Sequence, residues 1–216
     1  MTNLVTLVVR RGKIAGLCIA LSLAAGIFPE NASALMDPQN NVRGFYDALL
    51  TTMRNGPTLG QSGRYARLAP VVDRVFDVPS MTRLAIGPSW ATLSPAQQQQ
   101  LVEAFRHYVA ATYADRFDSY SGQQLQVIGE RPYNADVIVQ TKIVKSDGDT
   151  TTLDYLMHQN QGSWQISDVF LDGTISQLAI QRSEFHSILR REGIDGLVMA
   201  LNRKVDLLGK GVAKAS

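Results

Sequence analysis

Residues Thr150–Ser176, TTTLDYLMHQNQGSWQISDVFLDGTIS, decide the fold. Leu153, Tyr155 and Met157 alternate with Asp154, Leu156 and His158, the period of two required by a half-buried strand. Asn160-Gln161-Gly162 supplies turn chemistry, and a second strand follows. Strict alternation there puts Trp164, Ile166, Asp168 and Phe170 on one face, with Gln165, Ser167, Val169 and Leu171 on the other. Asp172-Gly173 closes the hairpin before a helical pattern begins. One side of the hairpin is therefore large and apolar, with a single acid set in it. Such a face is either a core or the wall of a pocket.

Working upstream, Asp147-Gly148 is a strong hairpin turn that joins this pair to two more strands, Gln124–Glu130 and Asp136–Lys145. Connections this short predict a four-stranded antiparallel meander with one face covered. Ser94-Pro95-Ala96-Gln97 reads as a capping box with proline in the first turn, and opens a helix running to about Tyr120. Its broad stripe of Leu101, Val102, Phe105, Tyr108, Val109, Thr112, Tyr113 and Phe117 suits a flat partner such as a sheet. Further upstream, Asp37-Pro38 starts a helix that stops at Asn55-Gly56-Pro57. A second helix is read over Arg64–Asp77, with Pro70 at its entry or at a kink, and a short one from Pro79 to Gly87. Downstream, helical spacing runs from Ile175 to Gly193 and again from Ile194 to Leu208. Helices, then strands, then helices in blocks is an α+β arrangement.

The first 34 residues read as a targeting segment. Arg10, Arg11 and Lys13 form a basic region, Ile14–Phe28 an apolar run too short for a comfortable span, and Ala32-Ser33-Ala34 a cleavage signal. Cleavage leaves a single domain over 35–216. The whole chain has 21 Lys+Arg against 19 Asp+Glu, and loss of the segment leaves 18 of each. A neutral mature chain lacks the concentrated basic face of a nucleic-acid binder. The lone cysteine, Cys18, leaves with the segment, which suits an oxidising compartment and removes thiol chemistry.

Catalytic signatures are missing. There is no G-x-S-x-G elbow, no phosphate-binding glycine loop and no H-E-x-x-H, and no cofactor is called for. His107, His158 and His186 share no ligand spacing. Asp168 has two readings. It is a general base in a cone-shaped pocket, in which case a histidine must stand near it, or it bonds a neighbouring backbone group or an arginine where the sheet ends. The aromatic and methionine groups likewise read as an ordinary core or a ligand wall, and a ligand-free adaptor would fill that interior.

Taken together, several segments resemble one family: Trp90–Gln98 (WATLSPAQQ), Phe105, Ala111–Ala114, Tyr155, Trp164–Val169, Gly173, Ser176 and Phe185 are similar to the MlaC family of periplasmic lipid-binding proteins, also called toluene-tolerance auxiliary components. Thr174 after the glycine, Gln181-Arg182 where Tyr-Arg is more usual, Met81–Pro88 and Arg182–Phe185 resemble the hopanoid-associated branch, HpnM. The resemblance implies an NTF2-like, cone-shaped α+β shell around an apolar cavity. It implies a carrier without a reaction, which moves a hopanoid or phospholipid between an inner-membrane transporter and an outer-membrane acceptor. The lipid tails would contact Phe105, Tyr108, Tyr113, Val139, Tyr155, Met157, Ile166 and Phe170.

Overall fold

A computed structural model describes residues 37–210; the targeting segment and cleavage signal read in 1–34 lie outside them. Helix α1 spans Pro38–Arg54, and Asp37 caps it by accepting from the Gln39 amide at 2.8 Å. The chain does not leave helical geometry after Asn55, as the Asn-Gly-Pro triplet suggested. A second helix, α2, occupies Gly56–Val75, because Pro57 falls in its first turn, where proline is preset for a helix. Its irregularity lies instead at Gly60 (φ 61°), a left-handed backbone that glycine alone adopts without cost. Asp77 then caps α3 (Val78–Ile86) through the Ser80 amide at 3.0 Å, and Gly87–Thr92 forms a 3₁₀ turn carrying Trp90.

The capping box forms as read. Gln97 N donates to Ser94 Oγ at 3.3 Å and Ser94 N to Gln97 Oε1 at 2.9 Å, starting α4 (Pro95–Arg116). Buried Arg64 fixes the far end of α4 to α2, donating from Nε to Ala114 O at 2.7 Å and from Nη1 to Gly56 O at 2.9 Å.

Strands β1 (Gln124–Tyr133), β2 (Asp136–Val144), β3 (Thr150–Asn160) and β4 (Ser163–Leu171) pair in chain order, every neighbour antiparallel. The count is five rather than the expected four. Ile175–Ser176 turns back on Leu171 and Phe170 as a two-residue strand, β5, too short to carry an alternation signal. Helix α5 then runs Gln177–Gly209. Its two predicted halves follow each other directly, separated only by non-helical Gly193 (φ 68°).

The decisive stretch departs from strict alternation at one point. Met157 pairs with Ile166, but Leu156 pairs with Asp168, so Ser167 is the extra residue of a β-bulge. A one-residue shift exchanges the faces of everything beyond it. Val169 and Leu171, not Asp168 and Phe170, come into register with the inward-pointing Tyr155 and Leu153. Phe170 faces Asp154 instead.

The core lies between this sheet and α1–α4. Phe45 of α1 is its hub, with ring centroids 5.4 Å from Phe76, 5.1 Å from Tyr113 and 6.3 Å from Tyr155, all edge-on. Among the described residues no helix is long and apolar enough to cross a membrane.

Candidate lipid-binding pocket

Helix α4 presents Phe105, Tyr108, Val109, Thr112, Tyr113 and Arg116 at steps of three and one, which places them on one face. The start of α5 packs beside that face, where Phe105, midway along α4, meets Phe185, two turns into α5, with ring centroids 5.5 Å apart. Between the two helices, over the Leu153/Val169/Leu171 end of the sheet, is a pocket of about 140 Å³. Phe76 and Met81 complete its inner wall, and Phe117, Gln177, Leu178, Asp168 and Gln181 complete its rim.

Burial grades along the pocket. Phe76, Met81 and Phe105 at one end are buried, Leu153, Leu171 and Gln177 at the other are half-buried, and Arg116 is exposed. The hollow is thus a cleft with an apolar floor and a mouth at the C-terminal end of α4. Its walls are mainly aromatic and aliphatic, the composition of a site that takes an apolar group.

Asp168, the one acid on the rim, is fully engaged. It accepts from Val169 N at 2.7 Å, Leu178 N at 3.0 Å and Ser176 Oγ at 2.5 Å. Ser176 in turn caps α5 by accepting from Ala179 N at 2.9 Å. The carboxylate therefore serves one orphan amide of a helix start, Leu178 N, and the hydroxyl that caps that helix, where negative charge is also favoured by the dipole. No histidine is bonded to it. His107 pairs with Glu103 at 3.0 Å, and His158 with Asp77 at 2.8 Å. The acid–histidine pair that a general base requires is replaced by a structural clasp.

A second hollow, of about 370 Å³, lies between the α2–α3 junction and the β3–β4 turn, and is polar. Several of its groups pair with one another, while Arg106 Nε is buried without a hydrogen-bond partner. Arg106 bonds Asp73 at 2.8 Å, and Asp77 receives His158 at 2.8 Å and Asn160 at 3.1 Å. Burial opposes ionisation of Asp77, but bonds from Ser80 and the neighbouring His158 outweigh it and hold the carboxyl below its usual range. Among the described residues no cluster of three or more His, Cys, Asp or Glu is placed to hold a metal.

Of the residues singled out from the sequence, Phe105, Tyr108 and Tyr113 line the pocket. Val139, Tyr155, Met157 and Ile166 are wholly buried in the core beside it, and Phe170 is half-buried and in register with Asp154 and Ser176. Tyr46, Tyr113 and Tyr155 form a cluster of hydroxyls beneath the aromatic wall. Burial pushes the Tyr46 phenol up to about 12 and raises those of Tyr113 and Tyr155 well above the usual range. Tyr46 Oη bonds Thr141 Oγ1 at 2.5 Å. The Tyr155 hydroxyl stands near those of Tyr46 and Tyr113, but none offers it hydrogen-bond geometry. Among the pocket residues missing from the expected tail contacts, Val169 and Leu171 were turned to the other face by strict alternation, Leu153 was read on the inward face but not assigned to the ligand, Arg116 and Gln177 carried no local signal, and Gln181 stood out only as a family-branch feature. Met81 stood out only as one apolar residue of a short helix.

The α+β shell thus holds an apolar, open-mouthed cleft of the kind that takes an apolar group. The family model for MlaC protein matches residues 43–203, and the chain belongs to the MlaC family. A solved structure with the same fold is the phospholipid-binding protein from Ralstonia solanacearum in complex with a phospholipid. It is 25% identical, with a TM-score of 0.67, over 80% of this chain and 98% of that one.

Proposed function

We propose that this chain is a periplasmic lipid carrier that passes a membrane lipid between an inner-membrane transporter and an outer-membrane acceptor, with no chemical step. In this reading the first 34 residues are removed on export, and residues 35–216 form the lipid-binding domain. The observation that carries it is the cleft between α4 and α5, apolar at depth and open beside Arg116. Membership of the MlaC family and the phospholipid held by the Ralstonia structure support it. The energetics require such a cleft. A sixteen-carbon tail exposed to water costs roughly 13 kcal/mol at ~0.8 kcal/mol per methylene, so a soluble carrier must offer an equally dry wall.

The cavity of about 140 Å³ is smaller than the ~300–1,000 Å³ usual for ligand sites. Lipid entry therefore widens it, and the half-buried Leu153, Leu171 and Leu178 are the groups free to move aside. The ligand is a phospholipid or, following the HpnM-like features at Thr174 and Gln181-Arg182, a hopanoid. The test is organic extraction of the purified exported protein followed by mass spectrometry, together with uptake from vesicles. Co-extracted lipid near one equivalent is expected. No extracted lipid and no uptake would overturn the carrier reading.

A further inference from the structure

Arg116 has no assigned task. It is the last residue of α4, exposed, and the sole cation lining the cleft. Among the described residues it makes no hydrogen bond or ion pair. The nearby cations differ in this respect. Lys204, over the Tyr108 ring, is held by Glu184 at 2.6 Å, and Arg106 is held by Asp73. The acid on the same rim, Asp168, is saturated by its own donors and leaves Arg116 unneutralised. A cation in the last turn suits the helix dipole, but that role is met on any side of the helix. Arg116 instead stands on the cleft-facing stripe, one turn beyond Thr112. On the same lining, Gln181 has a buried Oε1 with no partner, an acceptor left for a ligand donor. Polar capacity without partners is therefore gathered at the open end of an otherwise apolar cleft, which is the pattern that an amphiphile's two halves would match.

We infer that Arg116 receives the anionic group, phosphate or carboxylate, of a lipid whose tails occupy the cleft, so that the protein selects anionic amphiphiles over zwitterionic or uncharged ones. This rests on the carrier reading and sharpens it, since an uncharged polycyclic lipid would leave the guanidinium without a partner. Arginine suits the task because its planar fork can hold two oxygens at once, which lysine cannot do.

The experiment loads the delipidated protein from mixed vesicles of phosphatidylcholine with a minor share of phosphatidylglycerol, and measures the ratio of the two lipids on the protein. Both come from one surface, so general attraction of the protein to the vesicle cancels. The wild type is expected to be enriched in phosphatidylglycerol over the vesicle. R116Q should lower that enrichment about three- to tenfold with total lipid unchanged, R116K should fall between, and R203Q, an exposed charge on α5, should match the wild type. Millimolar inorganic phosphate, compared with chloride at equal ionic strength, should leave the ratio unaltered. If phosphate erases it, the mouth is a free-anion site and the headgroup assignment falls. An unchanged ratio in R116Q also overturns the inference while sparing the carrier reading. No lipid on any variant overturns both.

Discussion

Asp168→Ala separates the structural role of this carboxylate from a catalytic one. Three donors converge on Asp168, two of them backbone amides, and one of these, Leu178 N, belongs to the first turn of α5. A hydrogen bond to a charged acceptor contributes ~1.5–3 kcal/mol, and a charge at a helix N-terminus adds about 1 kcal/mol. Simple addition overstates the loss, because water entering from the nearby mouth re-satisfies some of the donors. A net cost of about 3–5 kcal/mol follows, and for a chain of this size it should lower the melting temperature by roughly 10 °C.

Asp168→Asn preserves shape but turns a donor towards a donor, and should cost ~2–3 kcal/mol. Ser176→Ala removes the cap of α5 and one partner of Asp168, for ~1–2 kcal/mol. The two residues touch, so their combined effect should fall short of the sum by more than ~0.5 kcal/mol. Urea denaturation followed by far-UV circular dichroism at neutral pH measures all four corners of this cycle. A loss below ~1 kcal/mol in Asp168→Ala, or strict additivity, would refute the clasp.

Asp77, with its carboxyl held below the ordinary range, contributes stability that is complete above about pH 4 and lost as pH falls through the lower folded value. Asp77→Asn should flatten the acid limb of a urea-midpoint profile between neutrality and about pH 2, and an unchanged limb would count against the assignment. Tyr46, with its phenol at about 12, works in the opposite direction, its contribution being intact below about pH 10 and lost as pH rises towards 12. Tyr46→Phe should lose ~1 kcal/mol at neutral pH with the Thr141 bond, and should escape most of the roughly 3 kcal/mol, for two units, that the wild type loses between about pH 10 and 12. Tyr155→Phe removes a buried hydroxyl without a partner and should leave stability unchanged or raise it by ~1 kcal/mol; a loss above that would place a bond there. Val109→Trp, in the middle of the α4 wall, should fill the cleft and reduce lipid per protein at least about fivefold, with the melting temperature shifted by a few degrees at most.

What was legible in the sequence was local. The Ser94 box, the Asp37 cap, the Asp147-Gly148 turn and the meander order rest on contacts a few residues long, and all occur in the structure. The helix starting at Gly56 was masked because Asn-Gly-Pro ends one helix and begins the next with equal chemical fitness. The Asp77–His158 pair joins residues 81 apart and leaves no local trace. The Ser167 bulge had the largest consequence. Alternation locates a strand, but it fixes the inward face only up to the first inserted residue, and here the insertion falls midway along the strand that borders the cleft. Phe170 therefore entered the expected site in place of Val169 and Leu171.

That bulge also bears on whether the hairpin face is core or pocket. Tyr155, Met157 and Ile166 are buried, and the Tyr155 ring lies against the Phe45 and Tyr46 rings of α1. On the Leu153/Leu171 side α1 no longer covers it, and α4 and α5 stand over it with space between them. One strand pair thus provides both environments, and burial falls from the Tyr155/Val169 pair to the Leu153/Leu171 pair. A regular strand would have carried Asp168 inward among the apolar groups, where an ionised carboxylate is costly. With the extra residue, Asp168 instead reaches the first turn of α5, and Val169 and Leu171 give the cleft its apolar floor. The acid that first suggested catalysis and the floor that suits a lipid tail are two results of the same inserted residue.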